Sequence, residues 1–260
     1  KQRLHPDVVA VLEAKTASGA PAMETLPVDE ARKLAFEGHQ AVQAQPQLVA
    51  RVDNLRIPGP DCDIPIRVYT PDCRTPLAAV VYYHGGGWVV CDLDTHEVLC
   101  RALANRAHAV VIAVDYRLAP ENRFPAAVID AYAALCWTAE HADRLHIDPR
   151  RMVVAGDSAG GNLSAVVSMM ARDNNGPQIA LQVLVYPVTN LAALDTPSYR
   201  EFATDYNLTA AQMEWFRRNY LRRPEDALDP RASPLLAPDL KGLPPALVIT
   251  AECDPLRDEG

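Results

Sequence analysis

The 260-residue sequence lacks several patterns that would assign it to other classes of protein. No apolar run approaches the ~18 residues of a bilayer-spanning helix, so no transmembrane segment is expected within these residues. No long Lys/Arg run occurs, and a net charge of −8 attracts nucleic acid poorly, so no nucleic-acid partner is expected. The six cysteines form no Cys-x-x-Cys pair and no Cys/His spacing typical of zinc, so we expect no metal site.

The glycines do not form a nucleotide-binding motif either. Neither Gly-x-x-x-x-Gly-Lys-Ser/Thr nor Gly-x-Gly-x-x-Gly occurs, which argues against a phosphate-binding loop and against a nucleotide cofactor. No internal repeat and no low-complexity linker is visible. An apolar fraction of 49% supports a sizeable core, and the length is compatible with one domain.

The segment Gly-Asp-Ser-Ala-Gly at residues 156–160 follows an apolar run at residues 152–155. This pattern is typical of a nucleophilic serine raised on a sharp turn between a strand and a helix, where glycines let the two elements approach closely. Ser158 is therefore a candidate nucleophile, and the chain a candidate serine hydrolase. The pattern alone also fits an ordinary glycine-rich turn with a surface serine.

A second segment, His-Gly-Gly-Gly-Trp at residues 84–88, strengthens the hydrolase interpretation. It follows six apolar residues, 78–83, which predict a buried parallel strand. Consecutive glycines expose backbone N–H groups, and such groups stabilise the charged oxygen of a tetrahedral intermediate. The N–H of Ala159, directly after the serine, would complete this oxyanion hole.

A carboxylate candidate lies near the end of the sequence. Residues 246–251 predict another short buried strand, and Asp254 follows it at a strand's carboxyl end. A carboxylate there can orient a histidine and stabilise its charged form. An Asp-Pro turn without a function is the alternative, and Glu252, Asp258 and Glu259 are competing carboxylates.

Together these residues resemble the bacterial hormone-sensitive-lipase-like esterases of the α/β-hydrolase superfamily. The resemblance covers most of the chain and implies an α/β-hydrolase fold, a mostly parallel doubly wound sheet with a helical cap. It rests on five segments: HGGGW at 84–88, DYRLAPE at 115–121, GDSAGGN at 156–162, YP at 186–187 and DPLRDEG at 254–260.

The resemblance also implies roles for particular residues. Ser158 would be the nucleophile and Asp254 the acid of the triad. The resemblance also assigns the backbone donors of the oxyanion hole and the scaffold residues of the two glycine motifs. The oxyanion hole would use N–H groups of Gly85, Gly86 or Gly87 with that of Ala159, while His84 and Asp157 would be scaffold residues of their motifs.

The triad histidine is the one departure from the family's pattern. It is expected a few dozen residues after Asp254, but all seven histidines precede Ser158. Four of them, at positions 96, 108, 141 and 146, fall in or next to predicted helices, where solvated or packed roles are expected. The sequence also starts at Lys1 without a methionine. We therefore expect a fragment of a longer enzyme, whose histidine, last strand and closing helix lie beyond Gly260.

The rest of the sequence predicts alternating strands and helices, the signature of a doubly wound sheet. Alternation within residues 50–70 predicts two half-exposed strands at an antiparallel edge. Asp94 and Glu97 are spaced as a capping pair for a helix over 95–107. Further predictions are strands at 109–114 and 179–186 and helices at 125–141 and from Thr209, which is spaced to cap with Gln212.

Two regions interrupt the alternation and predict the domain organisation. Residues 1–45 would form the first part of a cap and residues 190–237 the second. The hydrolase core would comprise residues 46–189 and 238–260. An aromatic cluster at Met213, Trp215, Phe216 and Tyr220 is read as core packing, although the resemblance implies that the cap also shapes the acyl pocket.

The predicted function is a serine carboxylesterase that acts on short- to medium-chain acyl esters through an acyl-enzyme and needs no cofactor. The alternatives are an amidase or acyltransferase using the same residues, or a non-catalytic binder, because the family also resembles the plant gibberellin receptor. A small-molecule ester is the expected partner, and a homodimer is left open. The expected location is cytoplasmic by default, with secretion left open by the trimmed N-terminus.

Overall fold

The computed structural model describes residues 4–73 and 76–260, and within them a seven-stranded sheet forms the centre. Its strand order is β1-β2-β4-β3-β5-β6-β7. The strands are β1 (Arg51–Ile57), β2 (Ile64–Thr70), β3 (Leu77–Tyr83), β4 (Ala109–Val114), β5 (Ile147–Asp157), β6 (Leu181–Val185) and β7 (Ala246–Ile249). β2 pairs antiparallel with β1 and β4, and the pairs from β4 through β3, β5, β6 and β7 are parallel. The predicted sheet with an antiparallel edge is confirmed.

Helices cover both faces of this sheet. They are α1 (Pro6–Ala17), α2 (Val28–Val42), α3 (Glu97–Ala107), α4 (Ala126–Glu140), α5 (Ala142–Leu145), α6 (Ala159–Asp173), α7 (Pro197–Glu201) and α8 (Ala210–Tyr220). α4 and α6 contact each other and the strand β3, whereas α3 contacts β2 and β4. Side chains alternate along β3 accordingly: Tyr82 packs with Cys100 of α3, and Tyr83 with Leu163 of α6.

Two strands differ from their predicted exposure. β2 is largely buried, because Ile66 packs in the larger apolar cluster and Tyr69 packs on the opposite face with α3. β7 is shorter than predicted and exposed: Leu247, Val248 and Ile249 keep 50%, 41% and 45% of their accessible surface. Within residues 4–73 and 76–260 this strand pairs with β6 and is the last in the strand order, so its side chains are exposed there.

The predicted capping pair of α3 is wrong. The helix begins at Glu97, its N-cap residue is His96, and no side chain caps it. Asp94 instead accepts a hydrogen bond from Arg67 at 2.8 Å, and Glu97 pairs with Arg101. The strand β2 brings Arg67 beside this helix. Asp94 therefore binds a guanidinium that is distant in sequence and does not cap the helix.

The two segments predicted as a cap carry four helices and touch each other. Helix α8 contacts the short turn Met23–Thr25, and the ammonium group of Lys15 donates to the Asn207 carbonyl at 3.2 Å. Thr209 and Gln212 cap α8 reciprocally, as predicted. The aromatic side chains of α8 are buried in the main core, which confirms their packing role; the domain boundaries stay a prediction.

Glycines allow β5, α6 and the end of β3 to approach one another. A Cβ atom on Gly160, in the first turn of α6, would overlap the carbonyl oxygen of Tyr83. A Cβ on Gly156 would overlap the backbone of Gly160. The turn after β5 therefore lies directly against the loop that follows β3, which is how the two glycine segments come together.

One arginine ties the loop after β4 to helix α4. Arg117 donates from its backbone N–H and its guanidinium to Asp130 at 2.8 to 3.1 Å. The Asp130 side chain is only 1% exposed. On its other side the same guanidinium donates to Asp61, which is 63% exposed, at 3.0 Å.

The glycine contact predicts a strong effect of adding one methyl group. Gly160→Ala should destabilise the protein by about 3 kcal/mol or more, because the new Cβ has to displace backbone. Gly38→Ala is the matched control: Gly38 lies within α2 with open space around its Cα, and alanine should stabilise that helix by about 1 kcal/mol. Urea unfolding followed by circular dichroism measures both; equal stability of the two variants would contradict the contact.

The arginine predicts unequal effects for its two carboxylates. Asp130→Asn should cost about 3–5 kcal/mol, because it leaves a charge without its buried partner. Asp61→Asn should cost about 0–1 kcal/mol, because that partner is hydrated. The same unfolding measurement compares them, and similar losses for both variants would show that burial does not set the strength of these pairs.

Candidate active site

Ser158 lies on the turn between β5 and α6. Its backbone has φ 53° and ψ −115°, a conformation that residues other than glycine rarely adopt. Its N–H donates to the Val185 carbonyl at 2.8 Å, and its own carbonyl accepts from Asn162 at 3.0 Å. The residue is partly exposed at the carboxyl edge of the sheet. This is the strained, presented serine that the sequence pattern predicts.

The glycine loop lies beside this serine, and its N–H groups are not equivalent. The N–H of Gly85 donates to Asp157 Oδ1 at 3.1 Å. Within residues 4–73 and 76–260, no acceptor is hydrogen-bonded to the N–H of Gly86, Gly87 or Ala159. Of the three glycine N–H groups among which the sequence left the choice open, that of Gly85 is therefore occupied, whereas those of Gly86 and Gly87, like that of Ala159, have no acceptor among the described residues.

Steric constraints also favour glycine at the second and third positions of this loop. Gly86 and Gly87 have φ values of 111° and 57°, which suit glycine. A Cβ on Gly86 would overlap the Val90 carbonyl, and one on Gly87 would overlap the Phe216 ring of α8. Helix α8 is thus in direct contact with the loop that carries the free donors.

Asp157, predicted as a scaffold residue, is a buried junction. Its Oδ1 accepts from the Tyr82 hydroxyl at 2.7 Å as well as from Gly85, and His96 Nε2 lies 3.3 Å away. Burial acts to raise the pKa of this carboxyl, but the contact with His96 and the hydrogen bond from Tyr82 hold the pKa below its usual range. Sequence reasoning missed both of these partners, because neither spacing nor residue type relates them to Asp157.

His84, the other predicted scaffold residue, is buried and engaged away from Ser158. Its Nδ1 is 2.7 Å from the Gly85 carbonyl, and its ring stacks on Tyr116 with 4.3 Å between ring centroids. Burial, together with the nearby His96, lowers the pKa of His84 to about 3. The imidazole is therefore neutral at pH 7.

Asp254 lies after β7, two strands from β5. Backbone hydrogen bonds link these strand ends: Ser158 N–H to Val185, and Tyr186 N–H to Ile249. With neighbouring strands ~4.8 Å apart, the ends of β5 and β7 are roughly 10 Å apart. Asp254 Oδ1 accepts from the Leu256 N–H at 2.9 Å, and burial raises the pKa of its carboxyl.

The competing carboxylates are placed differently. Asp258 accepts from the Ser198 N–H at 2.8 Å and pairs with Arg257, which ties it to α7. Glu259 is 5% exposed and accepts from the Asn190 N–H at 2.9 Å, and burial raises the pKa of its carboxyl to about 8. Glu252 is exposed. Asp258 and Glu259 hold neighbouring segments in place.

Tyr186 is a neighbour of the site to which the sequence assigned no role. It follows β6, has φ 34°, and is 37% exposed. Burial, together with the charges of Asp157 and Asp254, raises the pKa of its hydroxyl to about 12. The only sequence signal was the Tyr-Pro pair after a predicted strand.

The remaining candidate groups in the described part of the chain are the histidines and the possible metal ligands. No histidine there is hydrogen-bonded to the Ser158 hydroxyl: His84 and His96 are engaged as above, and His108 and His146 end helices in left-handed conformations. In residues 4–73 and 76–260 no group of three or more His, Cys, Asp or Glu side chains is placed to hold a metal ion. None of the helices in those residues is long and apolar enough to cross a membrane.

Comparison with known proteins gives relatives over nearly the whole chain. The chain is 50% identical to the carboxylic ester hydrolase LipN of Mycobacterium tuberculosis over 221 residues, 83% of this chain and 58% of LipN. It is 40% identical to the ethyl acetate hydrolase of Pseudomonas putida over 266 residues, 99% of this chain and 83% of that protein. The chain thus spans less than two thirds of the length of LipN.

The fold gives the same relationship. The structure of a hyperthermophilic esterase from the archaeon Pyrobaculum calidifontis superposes with a TM-score of 0.95 at 47% identity, covering 98% of this chain and 82% of that one. The family profile described as the alpha/beta hydrolase fold matches residues 80–260. The chain belongs to the alpha/beta hydrolase fold family, in its hormone-sensitive-lipase-like branch.

Proposed function

We propose that the protein is a serine carboxylesterase with Ser158 as its nucleophile. The observation that carries this proposal is the strained turn that presents Ser158 beside the unoccupied N–H groups of Gly86, Gly87 and Ala159. Relatives named carboxylic ester hydrolase, ethyl acetate hydrolase and carboxylesterase support the reaction class. The proposed substrates are small esters with short- to medium-chain acyl groups.

In the proposed reaction, Ser158 Oγ attacks the ester carbonyl carbon and its proton passes to a histidine. The carbonyl oxygen becomes an oxyanion that accepts hydrogen bonds from Gly86, Gly87 and Ala159. The intermediate collapses to an acyl-enzyme as the alcohol leaves with the proton. Water, deprotonated by the same histidine, then attacks the acyl-enzyme, releases the acid and restores Ser158.

Asp254 is the proposed partner of that histidine. One of its carboxylate oxygens is held by the Leu256 N–H, which leaves the other free to accept from an imidazole N–H. The family resemblance implies a histidine that follows Asp254 in chain order. Asp254 would hold that imidazole in the correct tautomer and stabilise its charged form.

We also propose that residues 1–45 and 190–237 form a cap that shapes the acyl pocket. The contact between the Phe216 ring and Gly87 supports this, because it places α8 against the oxyanion loop. An acyl chain bound there would gain about 0.8 kcal/mol for each buried methylene. Chain-length preference would therefore depend on the cap side chains.

The first prediction for this function concerns the nucleophile. In the natural full-length protein, Ser158→Ala should lower kcat for p-nitrophenyl butyrate by about 10⁴-fold or more, because no acyl-enzyme can form. Ser168→Ala is the matched control, a buried serine within the helix α6 that follows Ser158, whose hydroxyl donates to the Ser164 carbonyl. Retained activity in a folded Ser158→Ala protein would exclude Ser158 as the nucleophile. An inactive wild-type protein that still binds esters would favour the binder.

The second prediction separates Asp254 from its neighbour. Asp254→Asn should lower kcat by about 10²- to 10⁴-fold, because an amide cannot stabilise the imidazolium. Asp258→Asn should leave kcat near that of the wild type and act on stability instead, since Asp258 holds Ser198 and Arg257. The same ester assay, with thermal unfolding alongside, compares the two. A larger loss of kcat in Asp258→Asn than in Asp254→Asn would show that the assignment of Asp254 as the triad acid is wrong.

A further inference from the structure

The carboxylate of Asp157 joins the serine turn to the glycine loop. The residue directly precedes Ser158, and its side chain is 14% exposed. Three groups converge on its Oδ1: the Tyr82 hydroxyl at 2.7 Å, the Gly85 N–H at 3.1 Å and His96 Nε2 at 3.3 Å. They come from the strand β3, the glycine loop and the residue before α3, so one oxygen holds three separate parts of the fold together.

Gly85 is a glycine because of this carboxylate. A Cβ on Gly85 would overlap Asp157 Oδ2, so only glycine lets the loop approach so closely. With its N–H donated to Asp157, Gly85 contributes no donor to a ligand. The next two peptides along the chain carry the N–H groups of Gly86 and Gly87.

We propose that Asp157 is a positioning residue of the reaction: its carboxylate holds the Gly85 N–H and thereby directs the N–H groups of Gly86 and Gly87 at the oxyanion. This inference rests on the proposed esterase function and deepens it. Asp157 touches neither the substrate nor the reacting atoms. It acts through the loop, by keeping the donors in place before the charge develops on the substrate.

A carboxylate suits this task if its own charge is compensated. Hydrogen bonds to an ionised acceptor are shorter and about twice as strong as neutral ones, which favours a rigid loop. An uncompensated anion beside the site would repel the oxyanion. The donors from Tyr82 and His96 compensate the negative charge of Asp157, and they lower the pKa of its carboxyl.

The C-terminal part of helix α2 and the residue that follows it lie on the outer side of this network. The side-chain amide of Gln43 donates to the Thr95 carbonyl at 2.6 Å, and Thr95 Oγ1 lies 3.0 Å from His96 Nδ1. The His39 ring packs on the His96 ring with 5.8 Å between centroids. His96 is therefore held from both of its ring nitrogens, and water has little access to the carboxylate beneath it.

The test compares two substitutions of Asp157 in the natural full-length protein, with p-nitrophenyl butyrate as substrate. Asp157→Ala removes the acceptor and should lower kcat by about 10²-fold, the size of effect seen when an oxyanion donor is lost, with KM changed less than about threefold. Asp157→Asn keeps an acceptor oxygen and should recover a large part of this loss. A folded Asp157→Ala protein with wild-type kcat would overturn the proposal.

Two adjacent tyrosines provide a pair that leaves Asp157 intact and keeps the test valid if Asp157→Ala does not fold. Tyr82→Phe removes one donor to the carboxylate and should lower kcat by roughly 10-fold, part of the effect of losing an oxyanion donor. Tyr83→Phe removes a hydroxyl of the same kind on the opposite face of β3, where it donates to the Ala131 carbonyl at 2.9 Å. Its kcat should match that of the wild type. Equal losses in the two variants would overturn the proposal.

Inhibitor binding separates positioning from a general loss of structure. Ser158 Oγ adds to the carbonyl carbon of a trifluoromethyl ketone and gives a tetrahedral oxyanion. The carbonyl carbon of the corresponding methyl ketone stays trigonal. The affinity of the trifluoromethyl ketone should fall in Asp157→Ala and Tyr82→Phe in parallel with kcat/KM, and that of the methyl ketone should not. Parallel loss of both ketones would overturn the positioning role.

The failure of the esterase proposal would give a different result. A wild-type protein that neither hydrolyses the ester nor reacts with a p-nitrophenyl phosphonate at Ser158 would overturn the proposed function itself. A wild-type protein that is labelled and active, with Asp157→Ala equally active, would overturn only the role of Asp157.

Discussion

The carbonyl group of Tyr83 rests against Gly160, and the arrangement of the site depends on this contact. It brings the end of β3 to the first turn of α6, so that the glycine loop and the serine turn share one small volume. Any larger residue at Gly160 would separate them by the width of a methyl group, and hydrogen-bond donors placed even 1 Å away lose much of their effect. Backbone packing, more than any single side chain, thus sets the distance between Ser158 and the glycine loop.

Burial acts on the two aspartates of the site in the same direction, yet their pKa values shift oppositely. Asp157 is surrounded by donors from Tyr82, Gly85 and His96, which outweigh the desolvation of its charge. Asp254 accepts only the Leu256 N–H among the described residues, and burial raises the pKa of its carboxyl. The first carboxylate meets three groups through Oδ1 and is suited to hold structure. The second accepts one backbone N–H among the described residues and is suited to accept a further hydrogen bond from an imidazole.

Sequence patterns predicted the elements well where the signal is local. The apolar runs of β3 and β4, the helix α4 and the reciprocal cap of α8 at Thr209 and Gln212 are all present. Prediction failed where a contact depends on a residue that is distant in the sequence. Asp94 is spaced to cap α3, but Arg67 from another strand takes it. The apolar residues of β7 are predicted to be buried, but their side chains are exposed in the residues that the structure describes.

Taken alone, the sequence determined the fold class, the position of Ser158 on a turn between a strand and a helix, and the glycine loop after β3, because these follow from short segments whose residue types are set by local sterics. Which glycine is occupied and which are free was decided only by the tertiary structure. That choice depends on Asp157, Tyr82 and His96 meeting at one oxygen, although up to 75 positions separate them along the chain. A hydrogen bond depends on distance and direction in space, and neither is written in the spacing of residues along the chain.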